Sequence, residues 1–84
     1  METQLMLILR SLIDEQLEKD PRHDTLHLDR IKIFFPVDVQ FLEIMKRFIH
    51  EEYVTAEDSF YCLTSKGMEW SDRLKEDIGR NRLN

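Results

Sequence analysis

Apolar and polar positions alternate with a helical period in three stretches of the chain. From Thr3 to Lys19, Leu5, Met6, Ile8, Leu9, Leu12, Ile13 and Leu17 fall within an arc of about 180° when successive residues are set 100° apart. Arg10, Ser11, Asp14, Glu15 and Glu18 take the other side. The helix is expected to stop at Asp20-Pro21, because a residue before proline avoids the helical region. One core contact needs an apolar stripe of roughly 100° or somewhat more. The extra width predicts that part of this helix meets a partner. Met6 and Leu17 at the edge of the arc, with Leu7 just beyond it, are the candidate oligomer interface of a homodimer.

The segment Arg22 to Phe35 carries apolar residues at Leu26, Leu28, Ile31, Ile33, Phe34 and Phe35. Leu26 and Leu28 alternate with His27 and Asp29 as in a strand, and Ile31 and Ile33 alternate again out of phase. A strand or extended segment is the expectation, with a short helix near Leu28 to Phe34 as the alternative. After Pro36 the helical period returns from Asp38 to Glu51. Phe41, Leu42, Ile44, Met45, Phe48 and Ile49 fill one face and Val39 sits at its edge. Asp38 is a suitable N-cap. Gln40, Glu43, Lys46, Arg47, His50 and Glu51 share the opposite face.

Tyr53 and Val54 read as a strand, Thr55 to Ser59 as a polar turn, and Phe60 to Leu63 as a second strand. Thr64 or Ser65 then caps a last helix over Lys66 to Ile78, whose apolar contacts come from Met68, Trp70, Leu74 and Ile78. Gly79 stands where a C-cap glycine belongs. The expected core joins Leu9, Leu12, Ile13, Phe41, Met45, Phe48, Tyr61, Leu63 and Leu74.

From Asp38 to Leu74 the chain resembles the second half of winged-helix domains, including many small bacterial and phage proteins. Tyr61, Leu63, Thr64 and Gly67 match the pattern Tyr-x-Leu-Thr-x-x-Gly that opens the last helix of those domains. Glu52-Tyr53-Val54 stands where Gly-Tyr-Ile or Gly-Leu-Val is usual, so Glu52 replaces a glycine. The resemblance implies one α+β winged-helix-like domain over residues 1–84, with three main helices and a short β-hairpin, the wing, before the last. It also implies that the polar face of the Asp38 helix would meet a ligand, and that terminal helices would mediate association.

Charge narrows the ligand. With 12 basic and 17 acidic residues, the net charge of −5 argues against a general polyanion binder or an attraction to anionic membranes. On the Asp38 helix, Gln40 and Arg47 suit base edges, but Lys46 and Arg47 are offset by Glu43 and Glu51. The turn carries Glu57 and Asp58 and no basic residue. DNA binding is therefore expected to be weak. In the last helix and beyond, Arg73, Lys75, Arg80 and Arg82 form the most basic segment, interrupted by Asp72, Glu76 and Asp77.

No stretch approaches the roughly 20 apolar residues of a membrane span, and the five-residue apolar run Leu5 to Leu9 is too short for a secretory signal. The single cysteine, Cys62, permits no intrachain disulfide, which fits a reducing, cytoplasmic setting. Cys62 lies in an apolar strand and reads as an inert thiol. His23 and His27 lie four residues apart with Asp24 and Asp29 nearby, but Pro21 and the alternating apolar pattern disfavour the helix that would set both imidazoles on one metal, and two solvated histidines are the expectation. No phosphate loop, nucleophile elbow or metalloprotease motif is present. The expectation is a non-enzymatic regulatory or adaptor protein with no cofactor, no metal, no membrane and no small-molecule substrate. It would bind a protein partner through Gln40, Glu43, Lys46, Arg47 and His50. The alternative is a dimeric DNA-binding transcriptional regulator using Gln40, Lys46 and Arg47.

Overall fold

Helix α1 spans Glu2–Lys19 and buries Leu5, Met6, Leu9, Leu12, Ile13 and Gln16. These positions repeat at helical spacing and form one continuous stripe. The only polar member, Gln16, is satisfied: its Nε2 donates to the Thr25 carbonyl at 2.7 Å and the His23 carbonyl at 3.4 Å. It thereby holds the segment that follows Pro21 against the end of α1. Asp20 leaves the helix in an extended conformation before Pro21. The computed structural model describes residues 1–83, with the side chains of residues 1–79.

The segment Arg22 to Phe35 departs from the expected extended form and takes the alternative, a short helix, after two residues of strand. Only Leu26–His27 is strand, β1, and Leu28–Phe34 is a helix, α2, so the described residues form four helices rather than three. Two local causes favour the helix. His27 is its N-cap, with Nδ1 accepting from the Asp29 amide at 3.0 Å. Leu28, Ile31 and Phe35 repeat at i, i+3 and i+7, and all three turn inward, Ile31 and Phe35 buried and Leu28 half-buried. Phe35 is extended, as a residue before Pro36 must be.

Helix α3, Val39–His50, starts at the expected cap: Asp38 accepts from the Phe41 amide at 3.0 Å. It buries Phe41, Ile44, Met45 and Phe48. Strands β2, Val54–Glu57, and β3, Phe60–Leu63, form a hairpin, and β1 joins on the other side of β3 to give the antiparallel order β1-β3-β2. The pairs Leu26↔Tyr61, Val54↔Leu63 and Glu57↔Phe60 set the register. The turn is shorter than the expected Thr55 to Ser59: only Asp58 and Ser59 link the strands, with Asp58 at φ 56°. A two-residue hairpin loop needs a left-handed residue, and aspartate tolerates that conformation better than most.

Helix α4 runs from Ser65 to Leu83, past the expected end at Ile78. Gly79 is not in the left-handed conformation that a C-cap requires, and nothing crowds it. No proline stands between Gly79 and Asn84 to stop the helix there. The molecule is thus a small α+β domain with four helices and a three-stranded antiparallel sheet. Of the expected core, Leu9, Leu12, Ile13, Phe41, Met45 and Phe48 are buried, while Tyr61, Leu63 and Leu74 are half-buried against them.

Candidate interaction face

The exit from α3 decides how that helix is displayed. Glu52 sits at φ 64°, the left-handed conformation usually taken by glycine. Its amide donates to the Ile49 carbonyl at 3.1 Å and the Tyr53 amide to the Phe48 carbonyl at 2.8 Å. These two bonds form a Schellman motif, which consumes the free carbonyls at the helix end. Tyr53 then packs edge-on against Phe48 at 6.3 Å, the apolar contact that accompanies the motif. Trp70 of α4 completes the cluster, 5.6 Å from Phe48 and 4.6 Å from Tyr53.

The start of α4 locks onto the same exit. Thr64, rather than Ser65, is the cap: its Oγ1 accepts from the Gly67 amide at 3.0 Å and donates to the Glu52 carbonyl. The Thr64 amide donates to the Tyr53 carbonyl at 3.1 Å, and Lys66 Nζ donates to the Glu51 carbonyl at 2.8 Å. Lys66 also lies over the Tyr53 ring, 4.9 Å from its centre. The end of α3 and the start of α4 therefore form one hydrogen-bonded junction.

Gln40, Glu43, Lys46, Arg47 and His50 are all exposed on the outer face of α3. Four of them, Glu43, Lys46, Arg47 and His50, line a shallow open depression with Ile49. Arg47 is engaged by Glu2 of α1. The face has a second component that the helical pattern had assigned inward. Val39 is 73% exposed, Leu42 56% and Ile49 42%. Together with Lys46 they follow i, i+3, i+7 and i+10, a continuous row along the helix. Ile33 and Phe34 at the end of α2 are exposed as well. A helical wheel groups Leu42 and Ile49 with the core residues, but the packed structure leaves both in solvent.

One member of the proposed interface on α1, Met6, is corrected. Met6 is fully buried in the core, and Leu7 and Leu17 are half-buried, Leu17 packed against the core. The wide apolar arc is covered within the chain, because α1 packs against α2, β1 and α4 together. Arg10, which the pattern set on the solvent side, is the clasp to α4. Its Nη1 donates to the Met68 carbonyl (3.1 Å), Ser71 Oγ (2.7 Å) and Asp72 (2.8 Å), while Nε donates to Asp14 (3.0 Å). Lys75 reaches the same Asp14 at 3.2 Å.

Among the other chemistry-bearing side chains, His27, Cys62 and Arg73 have structural partners, whereas the His23 side chain is exposed. His27 caps α2 and meets Phe60 edge-on at 4.8 Å. Cys62 is half-buried with Sγ near the Leu63 carbonyl; burial, then the negative charge of Asp24, pushes its thiol pKa up and disfavours the thiolate. Arg73 pairs with Glu69. The side chains of Arg80 and Arg82 lie outside the described residues. Among the described residues there is no cluster of three or more metal-ligating side chains and no helix long and apolar enough to cross a membrane. Comparison with family models, with curated proteins and with solved structures finds no match to this chain.

Proposed function

We propose that this chain is a non-catalytic regulatory or adaptor module of winged-helix-like build, working in the cytoplasm and binding another protein through the outer face of α3. The order of helices and strands, with a hairpin between α3 and α4, supports the winged-helix comparison. The seven-residue α2 supplies the second helix that such a domain needs ahead of α3. The observation that carries the protein-binding reading is the exposed row Val39, Leu42 and Ile49 beside Lys46. Apolar side chains gathered on one helix face and rimmed by charges suit a protein surface, not a phosphate backbone.

DNA binding is the second reading, favoured by the same element order and by exposed Gln40, Lys46 and Arg47. Arg47 is already paired with Glu2, and the tip of the hairpin offers Glu57, at the end of β2, and Asp58, in the turn, to any nearby phosphate. Few phosphate contacts give weak binding and a shallow salt slope. The two readings separate in one experiment. Capture from a native extract and titration with duplex DNA are each run on wild type, Leu42→Glu and Lys46→Ala/Arg47→Ala. Protein binding through α3 predicts loss of a specific partner with Leu42→Glu and no DNA affinity tighter than the usual non-specific range of about 10⁻⁴–10⁻⁶ M. Submicromolar, strongly salt-dependent DNA binding that disappears with the double alanine variant would favour the second reading.

A further inference from the structure

We propose that α3 pairs with α3 of a second copy of this chain, antiparallel about a two-fold axis, along the row Val39, Leu42, Lys46 and Ile49. This rests on the reading of α3 as a protein-binding face and names the partner. A two-fold contact must be self-complementary, since each copy presents the same patch to the other. The α3 face meets that condition. In an antiparallel pair with the axis between Ile44 and Met45, residue 43 of one helix comes level with residue 46 of the other. Glu43 of each copy then faces Lys46 of the other, giving two ion pairs related by the axis.

Both side chains are exposed, and neither has an ion-pair partner within the chain among the described residues. Arg47, the neighbouring cation, is by contrast occupied by Glu2. The same register brings Leu42 of one copy within about 3 Å, along the axis, of Ile49 of the other, at a rise of 1.5 Å per residue. The two more sheltered apolar members of the row thus cover each other twice. Parallel pairing would instead set Glu43 against Glu43 and Lys46 against Lys46, which is repulsive. The charge pattern therefore selects the antiparallel arrangement. A pair of 12-residue helices is about 18 Å long and buries an area at the low end of specific interfaces, so the dimer is weak and concentration-dependent.

Charge exchange across the axis is the test, read by sedimentation equilibrium. Wild type should show a monomer–dimer equilibrium. Glu43→Lys and Lys46→Glu should each raise the dissociation constant about tenfold or more, while melting as wild type does, since both positions are exposed. An equimolar mixture of the two single variants should recover the dimer, because every cross-axis pair is again opposite in charge. The variant carrying both exchanges should dimerise alone. A wild type that stays monomeric at millimolar concentration, or a dimer indifferent to both single exchanges, overturns the pairing. Either result leaves the binding of a different protein through Leu42 to be judged by the capture experiment, so the two ideas fail separately.

Discussion

Gly67 lies directly beneath the Tyr53 carbonyl: a Cβ added there would stand 2.1 Å from the Tyr53 oxygen and 3.1 Å from its carbonyl carbon. The obstacle is backbone, itself bonded to the Thr64 amide, and cannot swing aside. Gly67→Ala should therefore destabilise the fold by about 3 kcal/mol, with a larger loss for Gly67→Val. At 4–8 °C per kcal/mol for a domain of this size, the thermal midpoint should fall by more than about 12 °C. Gly79→Ala is the control. It meets nothing within 4 Å in the same helix and should instead stabilise by about 0.5–1 kcal/mol. Equal melts for the two variants would contradict the close approach.

Glu52 adopts a conformation that disfavours any side chain with a Cβ. Glu52→Gly should raise stability by about 1 kcal/mol, as relief of the left-handed strain outweighs the added freedom of the unfolded chain. The hydrogen bonds at this position are made by the backbone and are kept. Chemical denaturation would reveal the gain as a higher midpoint at constant slope. A fall in midpoint would mean that the Glu52 side chain contributes something the backbone geometry does not.

Thr64 joins both sides of the junction through one hydroxyl. Thr64→Ala should lose about 1–2 kcal/mol, because the cap to Gly67 and the bond to the Glu52 carbonyl go together. Thr64→Ser keeps the hydroxyl and should recover most of the loss. Amide exchange at Gly67 should quicken in the alanine variant alone.

Arg10 fastens α1 to α4 with a side chain only 13% exposed. Its removal strips donors from the Met68 carbonyl and Ser71 and leaves Asp14 with Lys75 alone. Arg10→Ala should cost about 2 kcal/mol and make α4 more open to limited proteolysis. Arg10→Lys should not rescue it, because an ammonium cannot reproduce the planar spread of donors.

Cys62 should resist alkylation in the native state. Burial, with the charge of Asp24 added, keeps the proton on the thiol and raises its folded pKa above the unfolded value. A group raised in this way contributes stability below its unfolded pKa, about 8.5, and loses it as pH rises through the folded value. Native alkylation should thus begin at higher pH than in denaturant, and stability should decline above about pH 8.5. Cys62→Ser should remove that alkaline decline.

The two ends of the polypeptide and its middle helix were legible from the sequence because α1, α3 and α4 each run through three or more turns of one apolar period. A cap at Thr64 or Ser65 was legible because a cap demands a particular residue type, and Gly67 was legible from the pattern Tyr-x-Leu-Thr-x-x-Gly, while the choice of Thr64 came with the structure. The segment Leu26 to Phe34 was not. A two-residue strand followed by a seven-residue helix offers too few repeats to tell a period of two from a period of 3.6. Tertiary structure alone decided what covers each face. Periodicity tells which side of a helix is apolar, but the width of its neighbours tells how much of that side is buried. The elements packed against α1 enclose Met6, whereas those packed against α3 cover Phe41, Ile44, Met45 and Phe48 and leave Leu42 and Ile49 in solvent. The same holds for Glu52, whose left-handed backbone is imposed by the joined ends of α3 and α4 rather than by its own preference.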